Sequence, residues 1–493
     1  MNLKRLIRDI PDCVVKGSKD LMIKGLTSNS KVVKPGDLFI AKKGQSHDGV
    51  AFINEAIQSG AVAVITDLYD PFLKEITQII HPNVTSIEAS LASTFFENPS
   101  DKLYLVGVTG TNGKTTTSFI IKSLLDQFFG PSGLIGTIEY IVGSHRYPAT
   151  RTTPDVTLNH QLLKEMCIQK CTSAVMEVTS HALDQGRVDR LNFDAAVFTN
   201  LTLDHLDYHH SLENYGKAKQ KLFNELGTAK NQHPKFAIVN ADSPWHRLML
   251  QETKAQAFTY AIESPADLVA SAIQVESRGT RCLLTYRKEQ VSCFWPLTGR
   301  FNIYNCLAAI GILLSRGISL NEISQKMSSL SPIRGRLQKV SNPLNLEIYV
   351  DFAHSPDALK NVLETIIEFK EGKIITVFGC GGDRDKEKRP KMGEISGKLS
   401  DYTIVTTDNP RTEDPLHICQ NIASGFTAAN SFEIEIERRL AIEKAISMAN
   451  PNDIVLIAGK GHENTQIFAH QTIEFDDAKV VSQICNKLAR SPD

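Results

Sequence analysis

Neither sign of charge prevails in this sequence: 54 Lys and Arg stand against 55 Asp and Glu, a formal net charge of -1 over 493 residues. No global field therefore draws the chain to nucleic acid or anionic lipid, and any anionic ligand has to be held by local groups. Long hydrophobic runs are missing as well. The best apolar stretch, 306–314, is about half of the roughly 20 residues that a membrane-crossing helix needs. Lys4, Arg5, Arg8 and Asp9 stand where a secretory signal would place its apolar segment. These features predict a cytoplasmic protein with no membrane and no nucleic-acid partner. Cysteine is sparse and odd in number: Cys13, Cys167, Cys171, Cys282, Cys293, Cys306, Cys380, Cys419 and Cys485 contain no CxxC pair and lie mostly in apolar surroundings. Buried reduced thiols are expected, in place of a disulfide framework or a redox or metal site. Internal repeats, low-complexity tracts and heptads are absent too.

What is present is the composition of a folded protein, 42% hydrophobic and 22% charged with 30 Gly and 20 Pro. The length exceeds the roughly 250–300 residues at which one core stops growing, and about 150 residues per domain suggests three domains. The first hundred residues alternate short apolar runs (37–41, 61–66) with amphipathic stretches such as 52–58, and end at the turn-rich 97–101. From Lys102 the pattern becomes strand (103–109), glycine loop (110–113) and helix (115–129), followed by strands at 173–178, 195–199 and 236–240, the alternation of a mostly parallel sheet. A second break falls at 331–335, around Pro332 and Gly335. Beyond it a further α/β series has strands at 347–351, 373–379, 402–407 and 454–458.

Three places carry chemistry. Gly110-Thr111-Asn112-Gly113-Lys114-Thr115-Thr116 joins a hydrophobic strand to a helix, where backbone N–H groups and the helix N-terminus can cradle phosphates. In such a loop Lys114 reaches the terminal phosphates and Thr115 holds Mg²⁺. Val108 occupies the first glycine position of the strict GxxxxGK[ST] pattern, so the generic motif is incomplete; a plain glycine turn is the bland alternative. Glu177 ends the strand 173–178, on the side where open α/β sheets bind ligands, and can supply the carboxylate a phosphate-bound magnesium needs. An isolated strand-end glutamate is otherwise a solvent-facing residue. The segment 200–209 packs Asp204, His205, Asp207 and His209 after another strand. Zinc would want a third ligand at a characteristic spacing, and magnesium with mixed ligands suits a phosphate site better. An ordinary polar loop is the alternative.

Taken together, the loop 109–116, MEVTSHAL around Glu177, NLxxDHLDYH at 200–209, YGKAK at 215–219, GRFNIYN at 299–305, Arg334–Arg336, DFAHSPD at 351–357 and AGKGHE at 458–463 resemble, in order, the motifs of the Mur ligases. The resemblance spans nearly the whole chain. It implies an α/β fold of three domains: a small N-terminal α/β domain (1–100) that binds the UDP-linked substrate, a central P-loop-type, mostly parallel sheet flanked by helices (101–332) that binds ATP, and a C-terminal Rossmann-like domain (333–493) that binds an amino acid. It implies an ATP-dependent amide-forming ligase of peptidoglycan precursor synthesis, and hence of cell-wall biogenesis, cell shape and division. Within the family the chain is most similar to enzymes that add the third residue of the stem peptide to UDP-N-acetylmuramoyl-L-alanyl-D-glutamate. Asp408-Asn409-Pro410-Arg411 matches the subgroup that uses meso-diaminopimelate.

The resemblance also implies roles. Lys114 and Thr115 serve phosphate and Mg²⁺, Glu177 and His205 are magnesium ligands, and Lys219 is a carbamylated lysine that orients the metal. Asn305, Arg336 and Asp351 surround adenine, phosphates and ribose. Ser30, Thr152, Thr153, Thr179, Gln185 and Arg187 hold the UDP-muramoyl substrate. Arg384, Asp408 to Arg411, Gly459 and Glu463 hold the incoming amino acid, with no partner beyond the small molecules and a monomeric chain. Gly379-Cys380-Gly381-Gly382 is no dinucleotide fingerprint, because Arg384 stands where its third glycine would fall; a guanidinium there suits a carboxylate. The chain departs from the family at Asn29 and Lys31, where Asp and Arg are expected, and at 45–47, which lacks the usual His-Gln pair. Lysine as the added amino acid, a folylpolyglutamate synthase-like ligase, and a nucleotide-binding regulator without catalysis are the alternatives. The DNPR segment and the full N-terminal unit oppose the second, and intact Lys114, Thr115, Glu177, His205 and Lys219 oppose the third.

Overall fold

The apolar runs near 37 and 61 become Asp37–Ile40 and Ala63–Thr66, each buried at all four positions because the sheet they join is parallel and covered on both faces. The described residues are 1–44, 48–226, 234–429 and 431–490 of a computed structural model. They divide into two units, Met1–Thr259 and Tyr260–Asp493. The division falls inside the segment expected to be the central domain.

The first unit holds two sheets. Strands β1 (Val14–Lys16), β2 (Gly25–Thr27), β3 (Asp37–Ile40), β4 (Ala63–Thr66) and β5 (Thr77–Ile80) pair in the order β1-β5-β4-β3-β2, parallel except at β1. Helix α1 (Val84–Phe95), capped by the Asn83 side chain, packs Val84, Ile87 and Leu91 onto this sheet. The second sheet contains β6 (Tyr104–Thr109), β7 (Ser132–Ile135), β8 (Glu139–Val142), β9 (His145–Pro148), β10 (Ser173–Glu177), β11 (Ala195–Phe198) and β12 (Phe236–Asn240). They lie in the order β12-β11-β6-β10-β7-β8-β9, with the first five parallel and β8 and β9 an antiparallel edge. Helices α2 (Lys114–Phe129), α3 (Val156–Ile168) and α4 (Leu212–Asn224) follow β6, β9 and β11. The strands at 103–109, 173–178, 195–199 and 236–240 are thus found within a residue of expectation, and β6 lies between β10 and β11, so its C-terminal loop opens at the middle of the sheet.

Strand β13 (Gln256–Ala261) spans the division. In the second unit, β14 (Leu268–Glu276), β15 (Gly279–Tyr286) and β16 (Glu289–Trp295) form an antiparallel meander. It is followed by α5 (Arg300–Ser315), whose buried residues include the whole apolar run 306–314. The meander is absent from the sequence expectations. A six-stranded sheet then comprises β17 (Gln338–Lys339), β18 (Glu347–Asp351), β19 (Ile374–Phe378), β20 (Tyr402–Val405), β21 (Phe432–Ile434) and β22 (Ile454–Ala458) in the order β17-β18-β22-β19-β20-β21. All pairs except β17 with β18 are parallel. Helices α6 (Pro356–Phe369) and α7 (Lys388–Leu399) cover one face and α8 (Arg438–Met448) and α9 (Asp477–Leu488) the other. A hairpin, β23 (Thr465–Ile467) and β24 (Thr472–Glu474), precedes α9. All nine cysteines are free thiols, seven of them buried. Among the described residues no helix is long and apolar enough to cross a membrane.

Candidate active site

The phosphate loop is shaped by where its backbone must go. Gly110 (φ +147°) passes so close to Thr199 that a Cβ would collide with its hydroxyl, and Gly113 (φ +84°) turns the chain into α2 in a left-handed conformation that glycine adopts without strain. The strand-end residues of β11 hold the loop from below. Thr111 N–H donates to the Asn200 carbonyl at 2.9 Å, Asn112 N–H to Asn200 Oδ1 at 3.0 Å, and Thr199 Oγ1 donates to the Asn112 carbonyl at 2.6 Å. Lys114 Nζ folds back onto the carbonyls of Gly110 and Thr111, both at 2.8 Å. Thr115 Oγ1 donates to Glu177 Oε2 at 2.9 Å, so the expected hydroxyl and carboxylate do meet, and Thr116 is buried behind them in the first turn of α2. Glu177 is fully buried and also accepts from Thr137 N–H and Thr137 Oγ1, each at 2.9 Å.

Lys219 comes from α4 and reaches the same loop. Its Nζ donates to the Gly110 carbonyl at 2.9 Å and lies 4.4 Å from the centre of the Tyr215 ring. Among the described residues no carboxylate lies in ion-pair range of it. Burial first, and Lys114 second, push its amine well below the ordinary lysine range. His205 adopts a left-handed conformation (φ +53°) at the start of the short helix Leu206–His209, which turns its ring toward His181 (4.9 Å between centroids) and Tyr215 (5.9 Å). Burial drives its imidazole down to about 4, with Asp204 opposing and His181, Lys114 and Lys219 adding to the depression. The ring is therefore neutral at pH 7, the form in which a histidine ligates metal.

Five of the residues expected at the UDP-linked substrate form one chain of hydrogen bonds. Thr152 Oγ1 meets Thr137 Oγ1 at 3.1 Å; Thr153 Oγ1 donates to the Glu177 carbonyl at 2.8 Å and accepts from Thr179 N–H at 3.1 Å. Arg187 Nη1 donates to the Thr153 carbonyl at 3.1 Å and Nη2 to Gln185 Oε1 at 2.5 Å. Ser30 is engaged elsewhere in the first unit, donating to Glu55 Oε2 at 2.6 Å. The departure at Gln45–His47 lies outside the described residues.

In the second unit Asn305 is buried in α5, its Nδ2 donating to Asn302 Oδ1 at 3.0 Å. Asp351 ends β18, accepts Leu337 N–H at 2.6 Å, and is raised above the ordinary carboxylate range by burial, with Arg336 opposing. The Arg336 guanidinium stacks 4.8 Å from the Phe352 ring centre. The DNPR segment follows β20. Asp408 Oδ1 accepts Asn409 N–H at 2.7 Å, and Gly459 (φ +111°) passes close to Asp408 Oδ2. Asn409 Nδ2 donates to Glu463 Oε2 at 2.7 Å, and the buried Lys460 Nζ reaches both Asn409 Oδ1 (3.1 Å) and Glu463 Oε2 (2.9 Å). Arg411 (φ +52°) donates from Nη1 to the Gly382 carbonyl at 2.8 Å. A Cβ on Gly381 would stand 2.9 Å from Arg411 Nη1 and 3.8 Å from Arg384 Cγ, so the two arginines flank bare backbone. A groove of about 290 Å³ at Arg411 is lined also by Pro410, Glu413, Phe468 and His470.

Three family models match successive stretches of the chain: Mur ligase family, catalytic domain (residues 22–93), Mur ligase middle domain (108–313) and Mur ligase, glutamate ligase domain (335–461). The chain is 45% identical to the UDP-N-acetylmuramoyl-L-alanyl-D-glutamate--2,6-diaminopimelate ligase of Chlamydia caviae, over 98% of this chain and 99% of that one. The chain belongs to the Mur ligase family. A solved structure of a UDP-N-acetylmuramoyl-L-alanyl-D-glutamate--2,6-diaminopimelate ligase superimposes with a TM-score of 0.69 at 29% identity, covering 100% of both chains. The MurF ligase of Thermotoga maritima, solved in complex with ADP, shares the fold at 19% identity with a TM-score of 0.67, over 95% of this chain and 99% of that one. The three matched stretches give this Mur ligase its three α/β domains.

Sequence reasoning missed several residues of the Mur ligase site. Thr137 touches Glu177, Thr115 and Thr152, yet it follows β7 in a stretch without a motif, and its only signal is the Gly136 before it, against which Glu177 packs. His181 belongs to the MEVTSHAL segment but becomes a partner of His205 only when β10 and β11 are placed on either side of β6 in one parallel sheet. Gln466 Nε2 donates to the Asp408 carbonyl at 2.9 Å and Ile467 N–H to Asn409 Oδ1 at 3.0 Å, from a hairpin that no pattern marks.

Proposed function

We propose that this ATP-dependent Mur ligase adds meso-2,6-diaminopimelate to the D-glutamyl side-chain carboxyl of UDP-N-acetylmuramoyl-L-alanyl-D-glutamate, in peptidoglycan precursor synthesis. The observation that carries the choice of amine is the pair Arg411 and Arg384 flanking Gly381, the guanidinium of Arg411 and the side-chain stem of Arg384 both beside that bare backbone. The domain assignment is 1–100 for the UDP-linked substrate, 101–332 for ATP and 333–493 for the amino acid, in a monomeric cytoplasmic protein.

The reaction has two steps. The carboxylate oxygen of the acceptor takes the γ-phosphoryl group of ATP, releasing ADP and forming an acyl phosphate; the amine nitrogen then attacks the acyl carbon, phosphate departs, and the amine proton goes to a base or water. The loop N–H groups of 110–116 and the start of α2 bind the phosphates, and Lys114, released from the Gly110 and Thr111 carbonyls, neutralises the terminal ones. Thr115 and Glu177 offer a hydroxyl and a carboxylate oxygen, the donors a hard cation takes while keeping water and phosphate in its remaining positions, so the residues fit magnesium. His205 and Lys219 complete that set. Magnesium, when bound there, neutralises charge on the transferring phosphoryl group. Lys219, held as a buried amine, adds through nitrogen to the carbon of CO₂ and loses a proton, which leaves a carbamate anion in place of a second cation beside Lys114.

Thr152, Thr153, Thr179, Gln185, Arg187 and Ser30 bind the UDP-muramoyl substrate, with Asn29 and Lys31 altering the uridine end. Asn305, Arg336 and Asp351 bind adenine, phosphate and ribose. Asp408, Asn409, Pro410, Gly459 and Glu463 fix the amino-acid end of the incoming diamino acid, and Arg411 and Arg384 its distal carboxylate. The test is ADP release with UDP-N-acetylmuramoyl-L-alanyl-D-glutamate and a panel of amines. Release should require both the acceptor and meso-diaminopimelate, with lysine used about 10²-fold less well because it leaves a guanidinium unsatisfied. Equal use of lysine overturns the choice of amine, and release with a folate acceptor and glutamate overturns the choice of acceptor.

A further inference from the structure

Arg389, near the start of α7, has no exposed side-chain surface and takes no part in the chemistry above. Its guanidinium donates from Nη1 to Glu413 Oε2 at 3.0 Å, from Nη2 to Glu413 Oε1 at 2.9 Å, and from Nη2 to the Gly381 carbonyl at 3.4 Å. Glu413 stands two residues beyond Arg411. The same Oε1 accepts the backbone N–H of Asp383 at 2.7 Å, and the Glu413 N–H turns back to the Pro410 carbonyl at 3.1 Å. One ion pair therefore grips both loops that carry the arginines of the amino-acid site, the glycine-rich loop after β19 and the DNPR loop after β20.

Between the two loops the lacing is dense. Gly382 N–H donates to the Asn409 carbonyl at 2.9 Å, Thr412 Oγ1 to Asp383 Oδ1 at 2.6 Å, and Arg411 Nη1 to the Gly382 carbonyl at 2.8 Å. Asp383 (φ +54°) and Arg411 (φ +52°) are both left-handed, a conformation that non-glycine residues keep only where their surroundings enforce it. A buried ion pair is a poor device for stability alone, because desolvation offsets much of its attraction and a well-packed apolar pair can replace it. An apolar pair, however, can neither accept the Asp383 N–H nor donate to the Gly381 carbonyl.

We infer that Arg389 and Glu413 are positioning residues that set the spacing of Arg411 and Arg384, and through it the preference for an amine with a distal carboxylate. This rests on the reading of the amino-acid site given above. The test compares wild type with R389M/E413L, which removes both charges together, and R389Q/E413Q, a neutral pair that still forms hydrogen bonds. In R389M/E413L the KM for meso-diaminopimelate should rise about tenfold or more while the KM values for ATP and acceptor stay within about twofold, since misplacement by a fraction of an ångström acts only on the substrate so gripped. The gap between meso-diaminopimelate and lysine should narrow, and R389Q/E413Q should recover part of the loss. If R389M/E413L does not fold, the same selective rise, smaller in size, is expected in R389Q/E413Q. An unchanged KM for meso-diaminopimelate in a folded variant overturns the inference, as does a parallel rise in all three KM values with a lowered Tm. A wild-type protein that does not ligate meso-diaminopimelate overturns the substrate assignment itself, and is seen before any variant is compared.

Discussion

At the phosphate loop the buried amine of Lys219 rests on a carbonyl and a tyrosine face, whereas around the amino-acid cradle the buried cations have carboxylate partners: Arg389 with Glu413, Arg438 with Asp477, Lys460 with Glu463. Arg438 makes two bonds of 2.8 Å to Asp477 and also donates to the Ala458 carbonyl at 3.1 Å, which ties α8 and α9 to the strand end that precedes Gly459. A lysine buried without an anion in a dry site is disfavoured as a cation, and is held in readiness for a change of charge, by a ligand or by modification. A cation already paired can only hold shape. The first region is built to receive charge, and the second is built to measure distance.

The sharpest way to break this contrast is at Lys114. Lys114→Ala should reduce ADP release about 10³-fold or more, because phosphoryl transfer depends on positioning and charge neutralisation, while the circular dichroism spectrum stays that of the wild type. Near-normal ADP release would remove the phosphate-loop assignment. Lys219 comes next: Lys219→Ala should lose about 10²–10³-fold, with partial rescue by Lys219→Glu or added formate, since what the site needs at that point is an anion. Rescue by an added amine instead would show that the lysine works as a cation.

On the other side of the contrast, Arg411→Ala should weaken use of meso-diaminopimelate by about 10–100-fold, the worth of a charge-assisted hydrogen bond, with the KM for ATP unchanged. It should narrow the gap to lysine without improving lysine, as no new contact is created. A loss that falls on ATP instead would move Arg411 out of the cradle. The last test concerns stability rather than catalysis and falls on His160, buried in α3 with Nε2 3.4 Å from the Asp189 carbonyl, whose imidazole burial depresses from 6.5 to about 4. A depressed base contributes stability that is present above its unfolded value and lost as the pH falls. Between pH 6.5 and 4 the unfolding free energy should therefore decline by about 1.4 kcal/mol per pH unit from this group, and His160→Gln should flatten that slope in urea titrations.

Legibility followed the span of the interactions. The phosphate loop was readable because strand, glycine turn and helix are consecutive, so β6, Gly110–Gly113 and α2 lie within one stretch of sequence. Thr115 and Glu177 were both named from sequence, but their 2.9 Å bond depends on β6 and β10 pairing side by side with Glu177 opposite Val108. The meander β14–β16 left no mark because its exposed strand positions alternate irregularly, with a register shift between Ser271 and Gln274. Arg389 and Glu413 were unread for a different reason: an arginine in a polar helix gives no sign that it is buried, and a glutamate in a turn gives no sign of the cation it meets.

By itself the sequence determined the α/β class, the places where strands turn into helices, and the residue types gathered at each turn, because apolar periodicity and glycine punctuation are local properties of a chain. The tertiary structure alone decided which of those turns face one another, that Thr137 and His181 join the phosphate site, and that one buried pair fastens two arginine loops. Those outcomes depend on strand order and on the loss of water around a charge, and neither is written in any short run of residues.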